Sequence, residues 1–275
     1  MHALPDDIAG VVANALREDI GSGDLTAGLI ANDVTARAKV IAREEAILCG
    51  TAWFDEVFKQ LDNTIVVQWL VSDGNAIKPD QTVCQVTGTA RAILTGERTA
   101  LNFLQTLSGT ATVTHEFAKL LDGLDTRILD TRKTVPGLRK AQKYAVLCGG
   151  GLNHRMGLYD AILIKENHIA AAGGIEAVLT ATQQYEVPVE IEVENLQQLE
   201  AALAAGAGCI LLDNFELDDL RQAVRINRGR AKLEASGAVD KSTIRSIAET
   251  GVDYVSIGSL TKHVRAIDFS MRFVD

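Results

Sequence analysis

The chain has 275 residues, 47% of them hydrophobic and 23% charged, with a net charge of −9, a composition that suits a globular protein with a full core. The acidic balance argues against a nucleic-acid surface, no apolar run approaches the ~18 residues that cross a bilayer, and MHALPDDIAG lacks the basic and apolar regions of a secretory signal. Cys49, Cys84, Cys148 and Cys209 are far apart and form no CxxC pair, so reduced thiols in a cytoplasmic protein are expected and structural zinc is not.

Residues 4–20 carry Ile8, Val11, Val12, Ala15 and Leu16 at helical spacing and run into a glycine-rich turn at 19–24. The pattern over 36–48 predicts two short strands. Thr51 is the expected cap of a helix over 51–61 whose apolar side is Trp53, Phe54, Val57, Phe58 and Leu61. A β-branched run at 64–71, a turn at Asp73-Gly74-Asn75 and a strand at 82–86 complete a helix-plus-sheet sandwich. Thr95 is the expected N-cap of a long helix bearing Leu101, Leu104 and Leu107, with a break or kink at Ser108-Gly109. On that reading Arg98 lies in the first turn, where the helix dipole favours anions. Either it is solvated, or it shares an anionic ligand with the helix end.

After Gly123 the grammar changes. Six short apolar runs end in polar residues, at 127–133, 161–167, 189–194, 209–214, 231–237 and 254–259, with helical patterns at 196–205, 217–227 and 241–250 between the last four. Strands alternating with helices imply parallel βα units. A TIM-like α/β barrel explains them best, with its site at the C-terminal strand ends. A doubly wound sheet is the runner-up, although Gly149-Gly150-Gly151 precedes a histidine and opens no dinucleotide-binding helix. The stretch 128–168, with Arg127 at its edge, holds eight lysines and arginines against three acids. It reads as the first two barrel units and as a site for a small anion.

The strand ends deliver Arg132 and Lys133, then Lys165, then Glu192 or Glu194 (with Glu190 on the same face), then Asp213, then Ser236-Gly237-Ala238 and Ile257-Gly258-Ser259. His154 and Arg155 come from the loop before the second strand. The cations suit carboxylates or phosphates. Two carboxylates on neighbouring strands suit Mg²⁺, and the small residues closing the last strands suit a phosphate cradle. Other readings stay open. Lys165 either neutralises Glu192 or is a Schiff-base nucleophile. Glu190 and Glu194 are solvated or paired. Arg139, Lys140 and Lys143, at helical spacing, form a surface face or meet the substrate. His168 is a candidate hydrogen-bond partner of the cluster.

At DTRKTVPGLRKAQKYAV, GGGLNHRMGLYDAILIKENH, EIEVENLQQLEAAL, ILLDNF and ETGVDYVSIGSLTKHVRAIDFSMRF, and also at EDIGSGDLT and ERTALNFLQTLSGTAT, the sequence closely resembles the quinolinate phosphoribosyltransferase family. The resemblance covers nearly the whole chain. It implies an N-terminal α/β sandwich domain at 1–108, reaching the start of the long helix, and an incomplete TIM-like α/β barrel at 109–275, with room for the chain end to pack back on the first. It also implies synthesis of nicotinate mononucleotide, pyrophosphate and CO₂ from quinolinate and phosphoribosyl pyrophosphate, with Mg²⁺, by a homodimer. Carried over by motif, the quinolinate-binding residues fall on Arg98 (from the partner subunit), Arg132, Lys133, His154, Arg155 and Lys165, with Thr131 beside them. The metal and ribose carboxylates fall on Glu192 and Asp213, through Mg²⁺ directly or by water, with Glu194 the position open to confusion with Glu192. Lys133, Lys165, Glu192 and Asp213 are the expected catalytic set, and Ser236, Gly237, Ala238, Ile257, Gly258 and Ser259 the expected phosphate loops. Many relatives have Asn or Gly where this chain has Ala238, which puts only a side-chain contact in doubt. A paralogue acting on another heterocycle, an aldolase using Lys165 and a non-catalytic anion-binding barrel are the alternatives.

Overall fold

A computed structural model describes residues 2–274; positions 1 and 275, the outer ends of the two expected domains, lie outside the described residues. In chain order the strands are β1 (Thr35–Ala42), β2 (Ala46–Ile47), β3 (Val66–Trp69), β4 (Ala76–Ile77), β5 (Thr82–Thr89), β6 (Arg127–Leu129), β7 (Ile162–Ile164), β8 (Val189–Val193), β9 (Cys209–Asp213), β10 (Lys232–Ser236), β11 (Tyr254–Ser256) and β12 (Phe269–Val274). The helices are α1 (Ile8–Ile20), α2 (Thr51–Leu61), α3 (Ala90–Leu120), α4 (Arg139–Cys148), α5 (Glu166–Ala172), α6 (Ile175–Thr182), α7 (Leu196–Ala204), α8 (Leu217–Asn227), α9 (Ile244–Ala248) and α10 (Ser259–Lys262). The described residues form two compact units, one of residues 2–115, 134–150 and 260–274, the other of 116–133 and 151–259.

In the first unit an antiparallel sheet runs β12-β1-β5-β3, and β2 pairs with β4. The chain end thus returns as a strand along β1, Arg37 opposite Val274 and Ala42 opposite Phe269. Trp53, Phe54, Val57 and Phe58 on α2 are buried together with Leu101, Leu104 and Leu107 on α3, so the apolar stripes read from the sequence do face a core. Three local expectations need correction. Thr51 is not the cap of α2. Gly50 holds that position at φ +113°, which favours glycine, and the distant Asp73 accepts the Thr51 N–H at 3.2 Å. Thr95 does not start α3, which begins at Ala90; its hydroxyl instead donates to Asp24 at 2.9 Å. Nor does α3 break at Ser108-Gly109. Ser108 is buried and bonds both the N–H and the carbonyl of Cys49, and a Cβ on Gly109 would stand 2.2 Å from the Arg265 carbonyl oxygen. Arg98 is therefore roughly two turns inside the helix, exposed, and the argument that it shares a ligand with a helix N-terminus fails.

The second unit holds a six-stranded parallel sheet in the order β6-β11-β10-β9-β8-β7. β6 and β7 lie at opposite edges and do not pair with each other, so this is an incomplete TIM-like barrel, and the fold class is α/β with an antiparallel N-terminal sandwich. The stretch 128–168 does carry the first two barrel strands, β6 and β7, but they stand at opposite edges of the sheet. Its helix, α4, belongs to the first unit, and Lys143 is fully buried, which removes the reading of Arg139, Lys140 and Lys143 as one surface face. Along β8, Ile191 and Val193 alternate with Glu190 and Glu192, so the two glutamates share one face of the strand.

Candidate active site

The C-terminal ends of the barrel strands carry Arg132, Lys133, Lys165, Glu192, Asp213 and the two expected phosphate loops, while His154 and Arg155 meet residues nearer the strand beginnings, Glu190 in β8 and Ala161 before β7. After β6 the chain turns through Asp130, which is buried and accepts the His154 N–H at 2.9 Å, and through Thr131, whose hydroxyl accepts the Lys133 N–H at 3.1 Å. The Lys133 side chain runs over Gly258, where a Cβ would meet its Cδ at 2.9 Å. Glycine at 258 therefore leaves room for the lysine beside the expected phosphate loop.

After β7, Lys165 donates from Nζ to Glu192 Oε2 at 2.6 Å. Glu192 is buried, while Lys165 is half exposed. His168 joins this end through the backbone, its Nδ1 accepting the Lys165 N–H at 2.9 Å and its own N–H donating to the Lys165 carbonyl at 2.8 Å. That bond fastens the start of α5 and fixes where the lysine emerges. Glu192 and Glu194 part company here, since Glu194 lies past the end of β8 and is exposed. In the β8–β9 register Glu192 stands opposite Leu211. Asp213, two residues on, thus points to the same side of the sheet as Glu192. Asp213 Oδ2 accepts from Asn214 Nδ2 at 2.9 Å, and Asp213 stands opposite Ser236 on β10. Ser236, Gly237 and Ala238 close β10, and Ile257, Gly258 and Ser259 follow β11.

Arg155 donates from Nη1 to the Ala161 carbonyl at 3.3 Å. Burial first, and then the positive charge of Arg132, hold the Arg155 guanidinium below the usual arginine range. Two arginines near enough to repel each other form a ready seat for an anion. His154 Nε2 is 2.7 Å from Glu190 Oε2. Glu234, 1% exposed, has its carboxyl pushed up to about 8 by burial and then by the charge of Glu190.

Arg155, His154, Glu190, Cys209, Glu234 and Tyr254 line a cavity of about 600 Å³. Sequence reasoning left Asp130, Glu234 and Tyr254 unremarked. The signal for Glu234 was present, because it lies two residues before Ser236 on one strand, as Glu190 does before Glu192. Arg98 alone of the expected binding residues belongs to the first unit, and the metal-type carboxylates Glu192 and Asp213 are both in the second.

The chain is similar throughout to proteins of one kind. A probable nicotinate-nucleotide pyrophosphorylase [carboxylating] of Bacillus subtilis (strain 168) is 43% identical over 92% of this chain and 89% of its own length, and the chloroplastic nicotinate-nucleotide pyrophosphorylase [carboxylating] of Oryza sativa subsp. japonica is 40% identical over 97% and 77%. Among solved structures, the nicotinate-nucleotide pyrophosphorylase from Francisella tularensis superposes with TM-score 0.96 at 49% identity, covering 99% of this chain and 98% of that one. NadC from Streptococcus pyogenes superposes with TM-score 0.95 at 39% identity over the whole of both. The models of the quinolinate phosphoribosyl transferase N-terminal and C-terminal domains match residues 24–108 and 110–272, and the chain belongs to the quinolinate phosphoribosyltransferase family.

Proposed function

We propose that this chain transfers the phosphoribosyl group of phosphoribosyl pyrophosphate to the ring nitrogen of quinolinate and releases CO₂, giving nicotinate mononucleotide and pyrophosphate for NAD synthesis. The observation that carries this reading is the strand-end constellation. Arg132, Lys133, Arg155 and Lys165 stand on the same unit as Glu192 and Asp213, in a chain whose family is named for this transfer.

Quinolinate is a flat pyridine with two adjacent carboxylates, and Arg132 and Arg155 would pair with them, a reading supported by the close charge interaction between the two arginines. Lys133, beside Gly258, lies toward the phosphates. The pyridine nitrogen attacks the anomeric carbon as pyrophosphate departs. Glu192 and Asp213 stabilise the oxocarbenium-like charge that develops there. Transfer makes the ring nitrogen cationic, and that charge stabilises the carbanion left when the neighbouring carboxylate leaves as CO₂; a proton from solvent then takes the place of CO₂ on that ring carbon. No separate electron sink is needed. Lys165 holds Glu192 in place and is thereby engaged as an ion-pair partner, which counts against the aldolase reading.

Two carboxylates facing one side of adjacent strands fit the oxygen donors that Mg²⁺ takes. Glu192 and Asp213 would hold Mg²⁺ directly or through water, and it would neutralise the pyrophosphate leaving group. The working form is a homodimer in which Arg98 of one subunit completes the site of the other. All four cysteines are free, which suits a reducing, cytoplasmic setting. Among the described residues no helix is long and apolar enough to cross a membrane.

The test is an assay of the purified chain with quinolinate, phosphoribosyl pyrophosphate and Mg²⁺. Stoichiometric nicotinate mononucleotide, pyrophosphate and CO₂ are expected. No product with quinolinate, but turnover with another heterocycle, would replace this reading with that of a paralogue.

A further inference from the structure

Beneath the strand ends, the barrel floor holds a chain of hydrogen bonds that no step above uses. Glu190, 8% exposed, stands at its centre. Its Oε2 lies 2.7 Å from His154 Nε2, and its Oε1 accepts from the Cys209 thiol at 3.3 Å. On the other side of the ring, His154 Nδ1 accepts the Arg155 backbone N–H at 2.8 Å. A neutral imidazole has one N–H, so an accepting Nδ1 leaves the proton on Nε2, and that proton is donated to Glu190. Glu234 closes the floor behind, its Oε2 3.9 Å from the same Nε2.

His154, Glu190 and Glu234 present donor atoms all within 4.8 Å of one another, which on composition alone resembles a metal site. The tautomer argues otherwise, because a protonated Nε2 has no lone pair to give a cation. The geometry instead describes a relay that fixes direction. From β8 it runs through the imidazole to the backbone of Arg155, whose guanidinium rests on the Ala161 carbonyl beside Arg132.

We propose that Glu190 is a positioning residue for quinolinate: it locks His154 as the Nε2–H tautomer and through that ring seats Arg155 against a substrate carboxylate. The inference deepens the function proposed above and rests on it for its kinetic half only. His154, on this account, acts on the substrate through Arg155. The carboxylate of Glu190 also sets a counter-charge under the cluster of cations, which limits their mutual repulsion.

Two measurements test it. In the first, the histidine ring nitrogens of the substrate-free protein are read by ¹⁵N NMR, with the His154 signals identified by their loss in His154→Gln. The wild type is expected to show Nε2–H at His154, and Glu190→Val to show a mixed or Nδ1–H ring, while Glu190→Gln, which keeps an acceptor, retains Nε2–H. In the second, Glu190→Val is expected to raise KM for quinolinate about 10-fold to 100-fold with KM for phosphoribosyl pyrophosphate little changed. Glu190→Gln is expected to recover most of that loss. An Nδ1–H ring in the wild type overturns the proposal, as does a Glu190→Val protein whose two KM values rise together. If the chain does not turn over quinolinate at all, the proposed function fails while the NMR result still decides whether Glu190 governs the ring. Thermal melts of each variant show whether it folds; if Glu190→Val does not, Glu190→Ala, which also removes the acceptor, is read for the same tautomer and the same KM split, and the wild-type ring is decisive without any variant.

Discussion

Burial and the charge of Arg132 both weigh against the Arg155 guanidinium, and on the proposed function the quinolinate dianion would offset that repulsion. Removing one should therefore cost far more than a surface charge would. Arg132→Ala is expected to lower kcat/KM for quinolinate by about 100-fold or more, since it leaves a substrate carboxylate without its partner in a desolvated seat. Near-normal activity would remove Arg132 from the site. Glu234 supports a second expectation at this scale. Its carboxyl titrates near 8 in the folded chain against an ordinary value of 4.5, because burial and Glu190 disfavour its charge. The folded state thus binds a proton that the unfolded state gives up above 4.5. Stability from this group is complete below that pH and is lost as pH rises toward and through 8. Glu234→Gln has no such proton to lose. The melting temperature of the variant relative to wild type is expected to climb between pH 5 and pH 9, and a flat difference across that range would show that the Glu234 carboxyl does not hold its proton.

At the scale of elements, the strands and most helices were legible because apolar periodicity reports burial. The apolar stripe of α2 and the Glu190/Glu192 alternation of β8 are the clear cases. The two misreadings in α3 have one cause. Gly96 and Gly109 look like helix punctuation in a sequence, yet both lie inside α3. Gly96 is there because Phe58 and Leu61 of α2 press against it, and a Cβ would stand 2.8 Å from each. Gly109 is there because the Arg265 carbonyl comes closer still. Close approach by residues far along the chain leaves no periodic signal, so the helix start, and with it the dipole argument for Arg98, was misplaced. The same packing makes a prediction. Gly109→Ala would gain helix propensity, worth about 1 kcal/mol in an open helix, but here it must displace backbone. Net destabilisation of about 1–3 kcal/mol is expected in a denaturant titration. A more stable Gly109→Ala protein would mean that Arg265 can withdraw at no cost.

At the scale of the whole molecule, strand-end chemistry was readable because a parallel barrel puts its polar residues at one end. Topology was less so. Nothing local in 128–168 reveals that β6 and β7 are opposite edges of the sheet or that α4 belongs to the other unit. Arg98 raises the remaining question, since it lies in the first unit while every other expected quinolinate ligand lies in the second. If sites are shared across a homodimer, two inactive variants should complement each other. Arg98→Ala and Lys133→Ala subunits, each inactive alone, would pair at random when mixed one to one. A two-fold symmetric dimer puts Arg98 of each subunit into the site built on the other. A mixed dimer then has one site with both changes and one with neither. Half the dimers are mixed, so recovery of about a quarter of wild-type activity is expected. If each subunit instead supplied its own Arg98, every site in the mixture would carry one defect and activity would stay at the level of the parents. Co-purification through an affinity tag carried by only one variant separates that outcome from a failure to exchange subunits, and activity that rises with the mixed-dimer fraction assigns Arg98 to the partner's site.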